Sequence, residues 1–353
     1  MQSFFHSLSP FYLTNKKIMS KTVDSFIKSH EPVPHFSRTR EILKKHPEIR
    51  QLNGRNPYTG VITVACVLIQ VAVAYFLQEQ AWWVIALVAY GFGAFVNHVT
   101  FVIIHEASHY LLFQNRTMNM VFGLIANFPS LVPSFASFQK YHLKHHAHQG
   151  IHEIDLDMPE PWEARLVGNS GFMKALWLFL FPVVQTLRVA RVKNEVATFD
   201  KWTAINWLTQ IAFIAVSYYF VGGMGLLYMF LSFYFALSLH PLGGRWIQEH
   251  FVVHEEQETY SYYGGLNKIQ FNIGFHNEHH DFPGVAWHNL PKVREMAPEY
   301  YNSLYFHTSW TALVWRFITD KNITLYSRIE RGNEERKNVA PTTIVKDGVA
   351  MAV

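Results

Sequence analysis

The chain has 353 residues, half of them apolar and 16% aromatic, while only 16% are charged against about 25% in an ordinary soluble domain. That deficit of charge points to the bilayer, and the net charge of +4 suits a face resting on anionic headgroups. No basic block interleaved with aromatics marks a nucleic-acid surface, so no nucleic-acid partner is expected, and the single cysteine, Cys66, leaves no intrachain disulfide.

Residues 1–55 read as a basic cytosolic arm without the charged, apolar and small-residue regions of a secretory signal; Met19 is an alternative start to Met1. Within the arm, HEPVPHFSRTREILKKHPEIRQL (30–52) predicts a short juxtamembrane helix on the surface, with Ile42, Leu43, Ile49 and Leu52 on its apolar side. Apolar runs at about 61–77 and 81–104, parted by Gln78-Glu79-Gln80, form one helical hairpin. Runs at about 202–220 and 222–240, parted by VGGMG, form a second. Residues 117–138 contain Pro129 and Pro133, and 172–187 contain Pro182; both are too short or too broken to span and predict in-plane or re-entrant helices. Lys and Arg are missing from the two short outer loops, which places the arm, 105–201, 241–330 and the tail in the cytosol. The expectation is an all-α integral membrane protein: a membrane domain over 56–330, with four transmembrane helices in two hairpins capped by a cytosolic helical domain, then a disordered tail at 331–353.

Histidine is the outlier, with twenty present. His105 and His109 are four residues apart; His142, His145 and His146 repeat a three-and-four spacing, and so do His276, His279 and His280. On a helix these spacings turn the rings to one face. His250, just past the fourth apolar run, is a candidate ninth ligand. Nine imidazoles exceed what one ion takes but suffice for a di-metal site, and imidazole suits iron, zinc, copper and nickel alike. His98 and His240 read as structural or as supports for the ligands, while His148, His152, His254, His288 and His307 fall outside the spacing.

Three chemistries compete. HEASH (105–109) fits the H-E-x-x-H of zinc proteases, with Glu106 as general base, but leaves the other clusters idle. A metal transporter would place its ligands near the midplane of the spans, not at their ends. A redox metal pair at the membrane surface, acting on a lipid, uses all the clusters, and removing hydrogen from an unactivated methylene needs such a cofactor.

HEASH, HLKHH and HNEHH, in this order and with this arrangement of spans, resemble the membrane fatty acid desaturase and hydroxylase superfamily. PVPHFSRTREILKKHPEIRQL, ETYSYYGGLN, FNIGFHNEHHDFP and PEYYNSL resemble more closely the sphingolipid delta-4, or dihydroceramide, desaturases, over about residues 30–330. The resemblance implies a non-haem oxidoreductase with two iron ions, molecular oxygen as co-substrate, a membrane lipid substrate and an external electron donor of cytochrome b5 or ferredoxin type. Carried over by position, the iron ligands are His105, His109, His142, His145, His146, His250, His276, His279 and His280. Asn272 is placed to bond an iron-bound water or to lie on a helix surface, and Glu106, Glu249, Glu278 and Asp281 adjoin ligands and are candidates to orient them.

Two positions depart from the family: Lys144, where an acidic residue is frequent, and Arg245, where a histidine is frequent. HPLGG (240–244) resembles a haem motif only superficially, because it caps a span. Trp82, Trp83, Phe92, Phe95 and Phe101 are candidates to line a substrate tunnel, or to face lipid or core. A lipid C-hydroxylase on the same scaffold stays open, since desaturation and hydroxylation differ only in the fate of one carbon radical. The membrane is the endoplasmic reticulum in a eukaryote or the inner membrane in a bacterium, and the cytosolic Asn115 and Asn322 are expected to carry no glycan.

Overall fold

A computed structural model of the chain describes residues 24–192, 199–254, 257–332, 343–346 and 349–352. Residues 1–23, which include both candidate starts, lie outside them, as does most of 333–353.

The apolar runs form helices whose outward faces are as apolar as their inward ones. Tyr58–Leu77 carries no charged residue and buries Thr59, Thr63, Cys66, Val67, Gln70 and Ala74, a three-to-four residue repeat. Its opposite face leaves Val61, Leu68, Tyr75 and Phe76 exposed. Trp82–Ser108 is a second continuous apolar helix of 27 residues, with a π turn at Ala89–Gly93. There the neighbouring helix approaches so closely that a Cβ on Gly93 would lie 2.0 Å from the Ser232 hydroxyl.

The third segment, Lys201–Leu237, is capped by Asp200, which accepts from the Thr203 N–H, and is broken at Gly222, whose φ of 62° and ψ of −172° are not helical. A straight helix would hold Asn206 and Leu237 about 45 Å apart. Instead, the Asn206 side chain accepts from the Ala136 N–H, and the Trp246 indole donates to the Leu237 carbonyl. Phe101 touches both Phe138 and Trp246, so the segment doubles back at Gly222.

By length and composition, three helices can cross a membrane, or up to five if each of two bent pairs counts as one span. The pairs are Arg116–Ser130 with Phe135–His148, bent by 112°, and Gly171–Phe179 with Phe181–Val192, bent by 77°. Pro133 lies in the first break and Pro182 starts the helix after the second, as a residue without a donor should. Each member of the second pair has one buried and one exposed apolar side: Trp177, Leu178 and Phe181 face in, and Phe172, Val183 and Leu187 face out.

The N-terminal arm departs from expectation. Pro34–Lys45 is a helix, but it packs on the helix His276–Asp281. Ile42 and Ile49 are fully buried with Phe282, Val285 and Tyr301, and Leu43 and Leu52 cover them. The predicted surface helix is therefore a wall of the cap, because its apolar side is matched by one on the HNEHH segment. Two short parallel strand pairs fasten the cap: Ile27–Ser29 to Ile329–Arg331 and Ser261–Tyr262 to Phe306–His307. Arg331, expected at the head of a disordered tail, is buried and holds Glu258 through both Nη atoms at 2.8 and 2.6 Å, so the folded part includes it. Farther on, Thr343–Lys346 and Val349–Ala352 pair antiparallel.

The turn at Gly222 gives a test. No atom lies within 4 Å of a Cβ built on Gly222 or Gly223, but only Gly222 has positive φ. Gly222→Ala should cost about 1–3 kcal/mol of backbone strain, whereas Gly223→Ala should be neutral or stabilising. Thermal unfolding in detergent should show a lowered Tm for the first variant alone; equal behaviour of the two would remove Gly222 as the turning point.

Candidate metal centre

The three histidine motifs arrive on helix ends. Trp82–Ser108 presents His105 in its last turn and His109 at its C-cap. Phe135–His148 presents His142, His145 and His146, and His276–Asp281 presents His276, His279 and His280. His250 is the last residue of Gly244–His250.

All nine come together, in two groups. One nitrogen from each of His105, His109, His142, His146 and His279 lies within 4.8 Å of the others, and the same holds for His145, His250 and His280. His276 joins the second group, its Nε2 3.1 Å from that of His250. The groups adjoin, with the rings of His146 and His280 stacked at 4.2 Å.

Within each group the Nε2 atoms point at one another. His109 to His142 is 2.9 Å, His142 to His146 3.1 Å, and His146 to His279 3.0 Å. In the second group His145 to His250 is 3.0 Å. Imidazole nitrogens facing each other in such a chain cannot all be satisfied by shared protons, since a neutral ring has one donor and one acceptor. Two nitrogens bound at right angles to one ion, about 2.1 Å from it, stand about 3 Å apart. The spacing therefore fits cations placed among the nitrogens, and each group is large enough to hold one.

The electrostatics favour neutral, ligand-ready rings. Burial first, and then the neighbouring imidazoles, hold His142, His146 and His279 well below the ordinary histidine pKa. Burial does the same for His250, His276 and His280. His145 is the exception: burial opposes its charge, but Asp155 and Asp157 outweigh it and raise the ring to about 9. The Nδ1 of His145 lies 2.8 Å from Asp155, so an Nδ1–H donated there leaves Nε2 free to face His250. Asp155 itself is fixed by the N–H groups of Gly150 and Asp157.

A model of the fatty acid desaturase family matches residues 34–311. The chain belongs to the fatty acid desaturase family. It is 42% identical over 306 residues to a protein of Oryza sativa named sphingolipid delta(4)-desaturase DES1-like, covering 87% of this chain and 92% of the relative. It is 38% identical over 300 residues to the Homo sapiens sphingolipid delta(4)-desaturase DES1, covering 84% and 92%. A Caenorhabditis elegans protein named putative sphingolipid delta(4)-desaturase/C4-monooxygenase is 37% identical over 310 residues, covering 87% and 85%. The chain is accordingly an oxidoreductase, and the protease reading of HEASH falls away: its two histidines converge with three others, and Glu106 accepts the Trp287 N–H at 3.0 Å.

The carboxylates beside the histidines of this desaturase divide by what they touch. Glu106 lies 3.8 Å from the Nδ1 of His105, and Glu249 lies 4.0 Å from the Nδ1 of His276. Glu278 instead accepts from Ser261 and Tyr263. Asp281 accepts from Arg38 and Tyr301 and faces the Nδ1 of His35 at 2.7 Å, so it orients the N-terminal helix. Asn272 sits off any helix at a φ of 51° and donates to the Trp287 carbonyl, so it is not a helix-surface amide. His98 is buried against Gln270. His240 faces the Tyr90 carbonyl and accepts from the Leu242 N–H, so both its nitrogens have partners and HPLGG has no free ring for haem. Trp82, Trp83 and Phe92 point outward and line no tunnel, whereas Phe101 points inward.

Sequence reasoning missed Asp155, ten residues beyond His145, and the Glu258-Thr259 pair, whose carbonyl and hydroxyl lie 3.3 Å from the Nδ1 of His250. Only the run of acids in HEIDLD hinted at the first. Asp155→Asn should weaken metal retention by about 10- to 100-fold, read as the chelator concentration that strips half the metal. Unchanged retention would remove Asp155 from the support of His145.

Proposed function

We propose that this chain is a sphingolipid delta-4 desaturase that places a double bond next to the hydroxyl-bearing carbon of a dihydroceramide-type lipid. The observation that carries the reading is the convergence of nine imidazoles in two adjoining groups, together with the names borne by relatives over most of their length. Of the metals imidazole suits, iron is the one whose redox chemistry matches the family's reaction, and two ions match two groups. His105, His109, His142, His146 and His279 would hold one, and His145, His250, His276 and His280 the other.

Bound iron would supply, with molecular oxygen and two electrons, the oxidising power to take hydrogen from a methylene. The chain's own contribution is to gather the rings and disfavour their charged form at all but His145, with Asp155 setting the Nδ1 side of His145 and Glu258 and Thr259 that of His250. Burial of the rings excludes water from the reacting carbons. Electrons would come from a separate cytochrome b5 or ferredoxin-type protein.

The doubling back at Gly222 supports four spans in two hairpins, with the histidine cap on the face where all four end. The excess of Lys and Arg on that face supports a cytosolic orientation, in the endoplasmic reticulum for a eukaryotic host. A second reading, a C4-hydroxylase, is favoured by the double name of the Caenorhabditis elegans relative; there the carbon radical takes up a hydroxyl and loses no second hydrogen.

Purified protein should hold about two irons per chain on these grounds, and mass spectrometry of dihydroceramide turned over with oxygen and donor should show loss of two hydrogens. Gain of one oxygen would identify the hydroxylase; one zinc and unaltered lipid would overturn both. His145→Ala and His279→Ala should each abolish product and lower iron content while the protein still inserts into the membrane, and retained turnover in either would count against the ligand set.

A further inference from the structure

Beside the second histidine group lies a narrow cleft, walled by Trp177, Phe181, Trp246 and Phe251, with Glu249, His250 and the arginines Arg188 and Arg328 on its polar side. At its centre it is only wide enough for water, so an occupant must part its walls. One wall is the helix Phe181–Val192, which is built to face two ways. Phe181, Val184, Arg188 and Val192 are buried, while Val183 and Leu187 on the opposite side are exposed. A lipid in the bilayer thus meets one face of this helix and the cleft lies behind the other.

Packed against the cleft residues Trp246 and Glu249 is a buried guanidinium with two unpartnered nitrogens, that of Arg245. Arg245 is 3% exposed and lies 4.0 Å above the Trp246 ring and 4.8 Å from the Phe101 ring. Its Nη1 donates to Glu249 at 2.6 Å, but its Nε and Nη2, both buried, have no hydrogen-bond partner among the described residues. Buried donors left unmade are costly. The two arginines that line the cleft are engaged elsewhere: Arg188 is held by Glu163 through two hydrogen bonds, and Arg328 donates to the Asp157 carbonyl. Glu249 precedes His250 in the chain and lies 4.0 Å from His276, so a group bound to the Arg245–Glu249 pair sits beside the proposed metal ligands.

We propose that Arg245 and Glu249 bind the polar end of the substrate, Arg245 donating from Nε and Nη2 to a substrate oxygen and Glu249 accepting a hydroxyl proton. This rests on the sphingolipid reading given above. In a sphingoid chain the carbons to be desaturated begin one bond beyond a hydroxyl-bearing carbon, so a clamp on that hydroxyl next to His250 and His276 fixes which carbons face the metal. The ring path from Trp246 through Phe101 to Phe138, which stacks on His142 at 5.0 Å, offers an apolar wall to the carbons that follow. The pair is neutral overall, which suits a hydroxyl-and-amide end and not a phosphate.

The experiment compares dihydroceramide with its 3-deoxy analogue, in the iron-loaded full chain, for the native protein and for Arg245→Lys, which keeps the charge beside Glu249 but loses the planar fork. The native protein should prefer the hydroxylated lipid by about 10- to 100-fold in kcat/KM. In Arg245→Lys that preference should fall at least about tenfold, with the deoxy analogue turned over as before and more of the double bonds in the hydroxylated lipid misplaced along the chain. Binding of the two lipids to metal-free protein, followed by quenching of tryptophan fluorescence, should show the same loss of preference. An equal fall on both lipids, or a fall in iron content that accounts for the loss, would assign Arg245 a structural role and overturn the proposal. Native turnover without discrimination would overturn it and leave the desaturase reading standing; no native turnover of either lipid would overturn both.

Discussion

Everything in this structure is arranged around nine imidazoles gathered in two adjoining groups, seven of them with Nε2 within 3.1 Å of another ring's Nε2. One pair of ring nitrogens about 3 Å apart can share a proton, but a neutral ring has a single donor and a single acceptor, so a chain of such contacts leaves lone pairs for a cation to take. The fold gathers the rings by bringing helix ends, not helix middles, to one place. His109 and His250 are terminal residues of their helices, and the HNEHH helix is only six residues long. Helix ends can converge from several directions, whereas parallel helix faces offer ligands in rows.

Convergence alone leaves each ring free to rotate, and the second requirement is met from outside the motifs. Asp155 comes from the loop after HLKHH, and Glu258 and Thr259 from the segment before the short strand Ser261–Tyr262. The N-terminal helix closes the outer side. Arg38 and His35 reach Asp281, and the His35 ring lies 4.8 Å from His280. The parallel pairing of Ile27–Ser29 with Ile329–Arg331 then ties the entry of that helix to the end of the cap, with Arg331 fixed on Glu258 next to the residue that touches His250. The site is thereby held by contacts about 300 residues apart.

The long apolar helices and the ligand spacing were legible because both are local: hydropathy runs read directly as helices, and three-and-four spacing reads as one helical face. The breaks in the two bent helix pairs were legible for the same reason, through Pro133 and Pro182. The role of the arm was not. Ile42 and Ile49 show an apolar side but not what covers it, and the partner is supplied by Phe282 and Tyr301. Nor were the carboxylates legible by adjacency. Glu278 and Asp281 sit beside ligands in sequence yet serve Tyr263 and His35, because on a six-residue helix neighbours point in different directions. Asp155 is distant in sequence and adjacent in space.

The glutamate of HEASH shows how far a motif can mislead. In a zinc protease it would activate water; here its carboxylate takes the Trp287 backbone N–H, and Asn272 takes the Trp287 carbonyl from the other side. Trp287 also stacks on Phe271 at 4.3 Å and donates from its indole to Thr59. Phe271 and Asn272 both hold positive φ, a conformation costing on the order of 1–3 kcal/mol for such residues. That cost is sustained only where surrounding contacts outweigh it, and the contacts here join the first apolar helix, the HEASH helix and the loop after HNEHH. Glu106 therefore acts as a tie between the first and third histidine motifs, so removing it should loosen both groups of rings and not merely one.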